Sequence, residues 1–255
     1  MSAEQFRSSG DLFQAIKESA GLGRKRSYLD DSKKLLELKK AEWENHYLQD
    51  CIPDLPTLIV ANHYSRTPLM RIGDSFMTTN DSLVLSAVIT QGIPKLSPRR
   101  TTWLTKGNLS GPLSRFSGAR KAQEAAIACY DLIDVDNKSS REIYESLQEA
   151  ISEGLNIGIY PQGRIGRVLK KPRRGIIGFR EKTEFTGFRA VISLLSRTGL
   201  PFQIMPVSVF QQSGKYQAIF GEVLIPAGKA KDLTEEAMRR IALSLPRKLQ
   251  GDYRK

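Results

Sequence analysis

Short apolar runs, most of them followed by a stretch of helical periodicity, dominate this sequence from Thr57 onward. The runs are 57–62, 101–106, 129–135, 155–160, 202–210 and 216–224, and many of their residues are β-branched. Runs of this kind predict strands buried on both faces of a sheet. The spacing predicts helices over 82–91, 117–128, 139–153, 187–198 and 234–249. Strand and helix in alternation leave few packing solutions. The expected fold class is α/β, a single domain over 51–255 with a central mixed, largely parallel sheet flanked by helices. Residues 1–50 are expected to form an N-terminal helical segment. Asp11 would cap a first helix through Ala20, and Asp30 or Asp31 a longer one through about Leu48. The longer helix has two readings: packed on the main domain, or basic and amphipathic on a membrane surface.

Charge narrows the partners. The chain of 255 residues carries a formal charge of +12. Between Gly92 and Gln123 there are seven Lys or Arg and no acid; from Arg164 to Lys182 there are eight against one. Such clusters attract phosphates, whether on nucleic acid, anionic lipid or a small substrate. Only 8% of residues are aromatic and no recognised RNA or DNA module occurs, so nucleic acid is not the expected partner. No window approaches the roughly 18 consecutive apolar residues of a membrane span. The start of the chain lacks the apolar core of a secretory signal. Cys51 and Cys129 fit neither a metal-ligand spacing nor a disulfide framework, which points to a reducing cytoplasm. His46 and His63 are the two histidines, so a histidine-rich metal site is excluded.

Two polar clusters follow strand-like runs. Asn62-His63, with Ser65 and Arg66 close behind, ends the run Thr57-Leu58-Ile59-Val60-Ala61. Pro161-Gln162-Gly163-Arg164 ends Leu155-Asn156-Ile157-Gly158-Ile159-Tyr160. Ligands of α/β sheets bind beyond the carboxyl ends of the strands. A neutral imidazole there can take a proton from an alcohol, best when a carboxylate orients its other nitrogen. Gly163 permits close approach of backbone amides, and the Arg164 guanidinium suits a phosphate.

The two clusters resemble the motifs of the glycerophospholipid acyltransferase family, the 1-acylglycerol-3-phosphate or lysophosphatidate acyltransferases, in a divergent form. Further blocks resemble that family in the same order: Trp103-Leu104-Thr105-Lys106, then Ala128 to Asp136, Glu184-Phe185-Thr186-Gly187, Ile204-Met205-Pro206-Val207 and Phe220-Gly221-Glu222-Val223. The resemblance covers about residues 57 to 226. The family places a carboxylate five positions after the histidine, where this chain has Pro68. Asn80-Asp81-Ser82-Leu83 resembles the family's continuation, so Asp81 is the candidate replacement behind an enlarged loop over 64–80. Asp74 inside that loop is a second candidate, and a histidine without a carboxylate is the third possibility. Gln162 stands where the family has glutamate, Asn137 where it usually has arginine, and the basic residue of the turn at 184–187 is lost.

The resemblance implies a fatty acyl transfer from acyl-CoA or acyl carrier protein to a hydroxyl of a lysophospholipid or glycerol phosphate. His63 would be the general base and Asp81 its orienting acid. Asn62, Ser65, Arg66, Gln162, Gly163, Arg164 and Lys106 would bind substrate. No acyl-enzyme, metal or further cofactor is implied. The acceptor implies an anionic membrane surface as a partner and a peripheral position on the cytoplasmic face. Two other readings stay open. One is a degenerate relative that binds phospholipid or acyl-CoA without turnover; the other is a basic nucleic-acid-binding protein.

Overall fold

A computed structural model of the chain describes residues 6–52, 54–62, 70–72, 76–78, 80–105, 117–161, 186–250 and 253. Two helices open it, α1 (Ser9–Gly21) and α2 (Tyr28–Lys39). Strands β1 (Trp43–Tyr47) and β2 (Thr57–Ala61) follow, then the short β3 (Met70–Ile72) and β4 (Phe76–Thr78). Next come α3 (Asn80–Leu96), β5 (Thr101–Thr105), α4 (Ser117–Tyr130), β6 (Ile133–Asp134), α5 (Ser140–Ser152) and β7 (Asn156–Ile159). The chain closes with α6 (Thr186–Arg197), β8 (Gln203–Gln212), β9 (Lys215–Phe220) and α7 (Ala230–Leu243).

Seven strands form one sheet in the order β1-β9-β8-β2-β7-β5-β6. The five from β8 to β6 are mutually parallel; β9 runs antiparallel to β8, and β1 pairs parallel with β9. This is the expected mixed, largely parallel α/β sheet. Every residue of β2 and β7 is buried, because helices cover both faces. Leu58 and Val60 point to a core shared with α5, α6 and α7. Ile59 and Ala61 point to a second core shared with α1, α2, α3 and α4. Burying each large apolar side chain contributes about 1.5–3 kcal/mol, so these strands are fixed in place from both sides.

The N-terminal segment departs from the sequence reading at its far end. The second helix stops at Lys39, with Lys40 in a left-handed conformation at φ 47°. Trp43–Tyr47 is an edge strand of the sheet, not helix. Aromatic residues favour a pleated surface, and β9 offers a free edge to pair with. The caps differ too. Ser8 caps α1, and Asp11 closes a capping box from the third position of the helix. Ser27 caps α2. Asp31 instead takes two hydrogen bonds from Arg26, at 2.7 and 2.9 Å, and one from the Tyr130 hydroxyl at 2.7 Å. Leu35 and Leu36 of α2 are buried in the same core as α3, so the apolar stripe of α2 is spent on the domain.

Helix α3 runs through Gly92 and Pro94, where the periodicity predicts an end at 91. Gly92 is there for contact. A Cβ at that position would lie 2.4 Å from the ring of Phe220, so α3 approaches β9 more closely than any larger residue allows. Among the described residues no helix is long and apolar enough to cross a membrane.

Candidate functional site at the carboxyl edge of the sheet

Strands β2 and β7 are neighbours, and Val60 pairs with Ile159. Asn62 and Pro161 each lie two residues beyond that pair, so the chain leaves the two strands at the same level. Their onward paths diverge. The chain from β2 returns through α3, in the core of α1 to α4, to reach β5. The chain from β7 returns through α6, in the opposite core, to reach β8. Adjacent parallel strands whose connections leave over opposite faces open a crevice between them, the usual ligand position of such sheets.

Asn62 anchors the end of β2. It is 3% exposed. Its Nδ2 donates to the Val209 carbonyl at 2.9 Å, and its Oδ1 accepts from the Val209 amide at 2.7 Å. The backbone pairing of β2 with β8 ends at Ala61–Val207. The Asn62 amide therefore carries the ladder one step further with a side chain in place of a strand. In this geometry Asn62 clamps the end of β2 to β8.

Aromatic residues pack around the end of β7. Trp103 on β5 pairs with Gly158 on β7. A Cβ on Gly158 would sit 2.3 Å from the indole, so only glycine lets that ring lie across β7. The indole stacks on Tyr160, centroids 5.2 Å apart and planes 17° from parallel. The Tyr160 hydroxyl is 2.6 Å from Ser86 Oγ on α3. Burial pushes the Tyr160 phenol well above its ordinary pKa, so it stays protonated and neutral. Gln123 on α4 donates to Thr105 Oγ1 at 2.8 Å. Gly158→Ala is expected to cost about 1–3 kcal/mol through overpacking against Trp103, seen as a lower midpoint in urea with an unchanged slope. A midpoint equal to wild type would show that the indole has room to move.

Of the residues expected to act, Asp81 is the second residue of α3 and so stands at the helix start beyond β4. His63, Ser65, Arg66, Asp74, Lys106, Gln162, Gly163 and Arg164 lie outside the described residues. Trp103, Tyr160 and Ser86 were not among the candidates. The glycine at 158, set between Ile157 and Ile159, is the sequence signal for a close ring contact. Among the described residues no group of His, Cys, Asp and Glu is arranged to hold a metal ion. A small crevice of roughly 200 Å³, part of it open solvent, opens at the opposite, amino edge beside Cys51, Thr57 and Asn156. Burial raises the Cys51 thiol pKa, which leaves it unreactive.

No family model matches the chain, and no curated protein matches it. Among solved structures it is similar to the 1-acyl-sn-glycerophosphate (LPA) acyltransferase PlsC from Thermotoga maritima, with 12% identity and a TM-score of 0.42. The match covers 91% of this chain and 79% of that one. The α/β assignment rests on the sheet of this chain itself.

Proposed function

We propose that the chain is an acyltransferase of the glycerolipid type. It moves a fatty acyl group from acyl-CoA or acyl carrier protein to a hydroxyl of a lysophospholipid or glycerol phosphate. The observation that carries this reading is the level exit of two adjacent strands at the point where their connections part. One exit leads into Asn62-His63 and the other into Pro161-Gln162-Gly163-Arg164. The strands that lead into two motifs far apart in sequence are thus neighbours in the sheet, which supports a shared site.

In the reaction His63 takes the proton from the acceptor hydroxyl as its oxygen attacks the thioester carbonyl. A C–O bond forms, the C–S bond breaks, and the departing thiolate takes up a proton. No protein nucleophile is needed, in keeping with the absence of a Gly-x-Ser-x-Gly elbow. Asp81 at the start of α3 orients the imidazole. Arg164, with Gln162 and Gly163, holds the acceptor's phosphate. The basic stretches 92–123, with Lys106, and 164–182 favour CoA phosphates and an anionic membrane. The working position is therefore the cytoplasmic membrane surface.

The test is transfer of a radiolabelled acyl group by the purified protein from acyl-CoA to lysophosphatidate and to glycerol 3-phosphate. A labelled phospholipid product is expected. Tight binding of acyl-CoA with no product across a panel of donors and acceptors would instead identify a degenerate binding protein.

A further inference from the structure

Helix α3 and the end of β7 are joined by a side-chain contact. Ser86 lies on α3 five positions after Asp81, and Tyr160 is the residue between β7 and Pro161. Their hydroxyl oxygens are 2.6 Å apart, and either can be the donor. Each partner is held from behind. The Ser86 carbonyl accepts a 2.8 Å hydrogen bond from Thr90 Oγ1. The Tyr160 ring is stacked on Trp103, which lies in the space over Gly158. The Tyr160 hydroxyl thus sits on a ring already held in place and Ser86 on a formed helix, so the hydrogen bond sets a distance at modest entropic cost.

We propose that Ser86 and Tyr160 are a positioning pair for the candidate site. Their hydrogen bond fixes the start of α3, which carries Asp81, against the strand that leads into Gln162-Gly163-Arg164. The consequence for catalysis rests on the acyltransferase reading; the spacing of the two elements does not. A misplacement of about 1 Å in a catalytic constellation costs up to roughly 10²-fold in rate, so the pair acts on kcat and leaves KM nearly alone. The link is neutral, so it does not respond to pH in the working range.

The experiment uses the full chain with Tyr160→Phe, Ser86→Ala, the double variant and Ser86→Thr. Acyl transfer from acyl-CoA to lysophosphatidate is measured together with amide hydrogen exchange over α3. Each of the first two variants is expected to lower kcat about tenfold with KM within about twofold, through lost alignment. The double variant should be no worse than the more severe single one, because both remove the same bond. Ser86→Thr keeps the hydroxyl and should keep the activity. Exchange should rise over the first turns of α3 alone, with the melting temperature within about 3 °C of wild type. Unchanged exchange and unchanged kcat would overturn the proposal, as would a general rise in exchange with a lowered melting temperature. Independent, multiplying losses in the double variant would overturn it too. If the wild type transfers no acyl group, the acyltransferase reading fails and exchange decides alone. A rise confined to the start of α3 then sustains the link, and no rise overturns it.

Discussion

Replacing Asn62 with leucine is expected to destabilise the protein by about 2–4 kcal/mol, since a buried backbone group left unpaired costs roughly 1–3 kcal/mol. Two such groups are at stake, the amide and the carbonyl of Val209. Neither has a strand to turn to, because β2 ends at Ala61 and the other bonding edge of β8 belongs to β9. Leucine repeats the branched outline of asparagine without its polar atoms, but its two methyl groups are larger, so part of the loss is overpacking in this buried site. Asn62→Asp should fall between wild type and leucine. Its carboxylate accepts from the Val209 amide but faces the Val209 carbonyl with no hydrogen to offer. Urea denaturation measures both. A cost below about 0.5 kcal/mol for leucine, the level of a neutral surface change, would show that water or a shifted strand replaces the clamp.

The second large effect concerns chemistry. His63→Ala is expected to lower acyl transfer by about 10²–10⁴-fold, the usual contribution of a general base. KM for acyl-CoA should change little, because proton removal from the acceptor is felt in the transition state. A circular dichroism spectrum equal to wild type separates this from misfolding. Transfer at the wild-type rate in His63→Ala would remove the mechanism. Asp81→Asn then asks whether the imidazole has an orienting carboxylate. A loss near that of His63→Ala would make them one unit, and a loss of less than about twofold would leave the histidine to work alone.

Much of the fold was legible because burial on both faces writes itself into sequence. Strand β2 has apolar or β-branched residues throughout and the middles of β7 and β8 are largely apolar, so the starts of all three were placed within a residue of the observed ones. Strand β1 was not legible. It is an edge strand with one neighbour, and Trp43, Tyr47 and Leu48 fit a helical stripe as well as a pleat. Only the tertiary partner β9 decides between them. The pairing of β3 with β4 inside the expected loop is likewise a matter of register between two short segments. Asn62 enters the candidate site through its motif, and its side-chain pairing with Val209, one step past a strand end, leaves no local signal in the sequence. Tyr160 and Ser86 meet through packing of α3 on the sheet, for which no local pattern exists. The adjacency of the strands that lead into the two motifs, finally, depends on β7 inserting between β2 and β5. Chain order alone does not disclose that insertion.

The position of β1 has a consequence for how the molecule is made. His46 and its partner Gln217 are 171 positions apart. At ribosomal rates of about 5–20 residues per second, β1 waits on the order of ten to thirty seconds for β9 to emerge. The helices before it find their partners on α3 and α4 much earlier. The sheet is therefore completed from its youngest end by one of its oldest segments, like a clasp fastened after the garment is on. A chain that stops before Lys215 has no place for Trp43–Tyr47 and leaves one side of β8 bare, so shortened products should aggregate while the full chain does not.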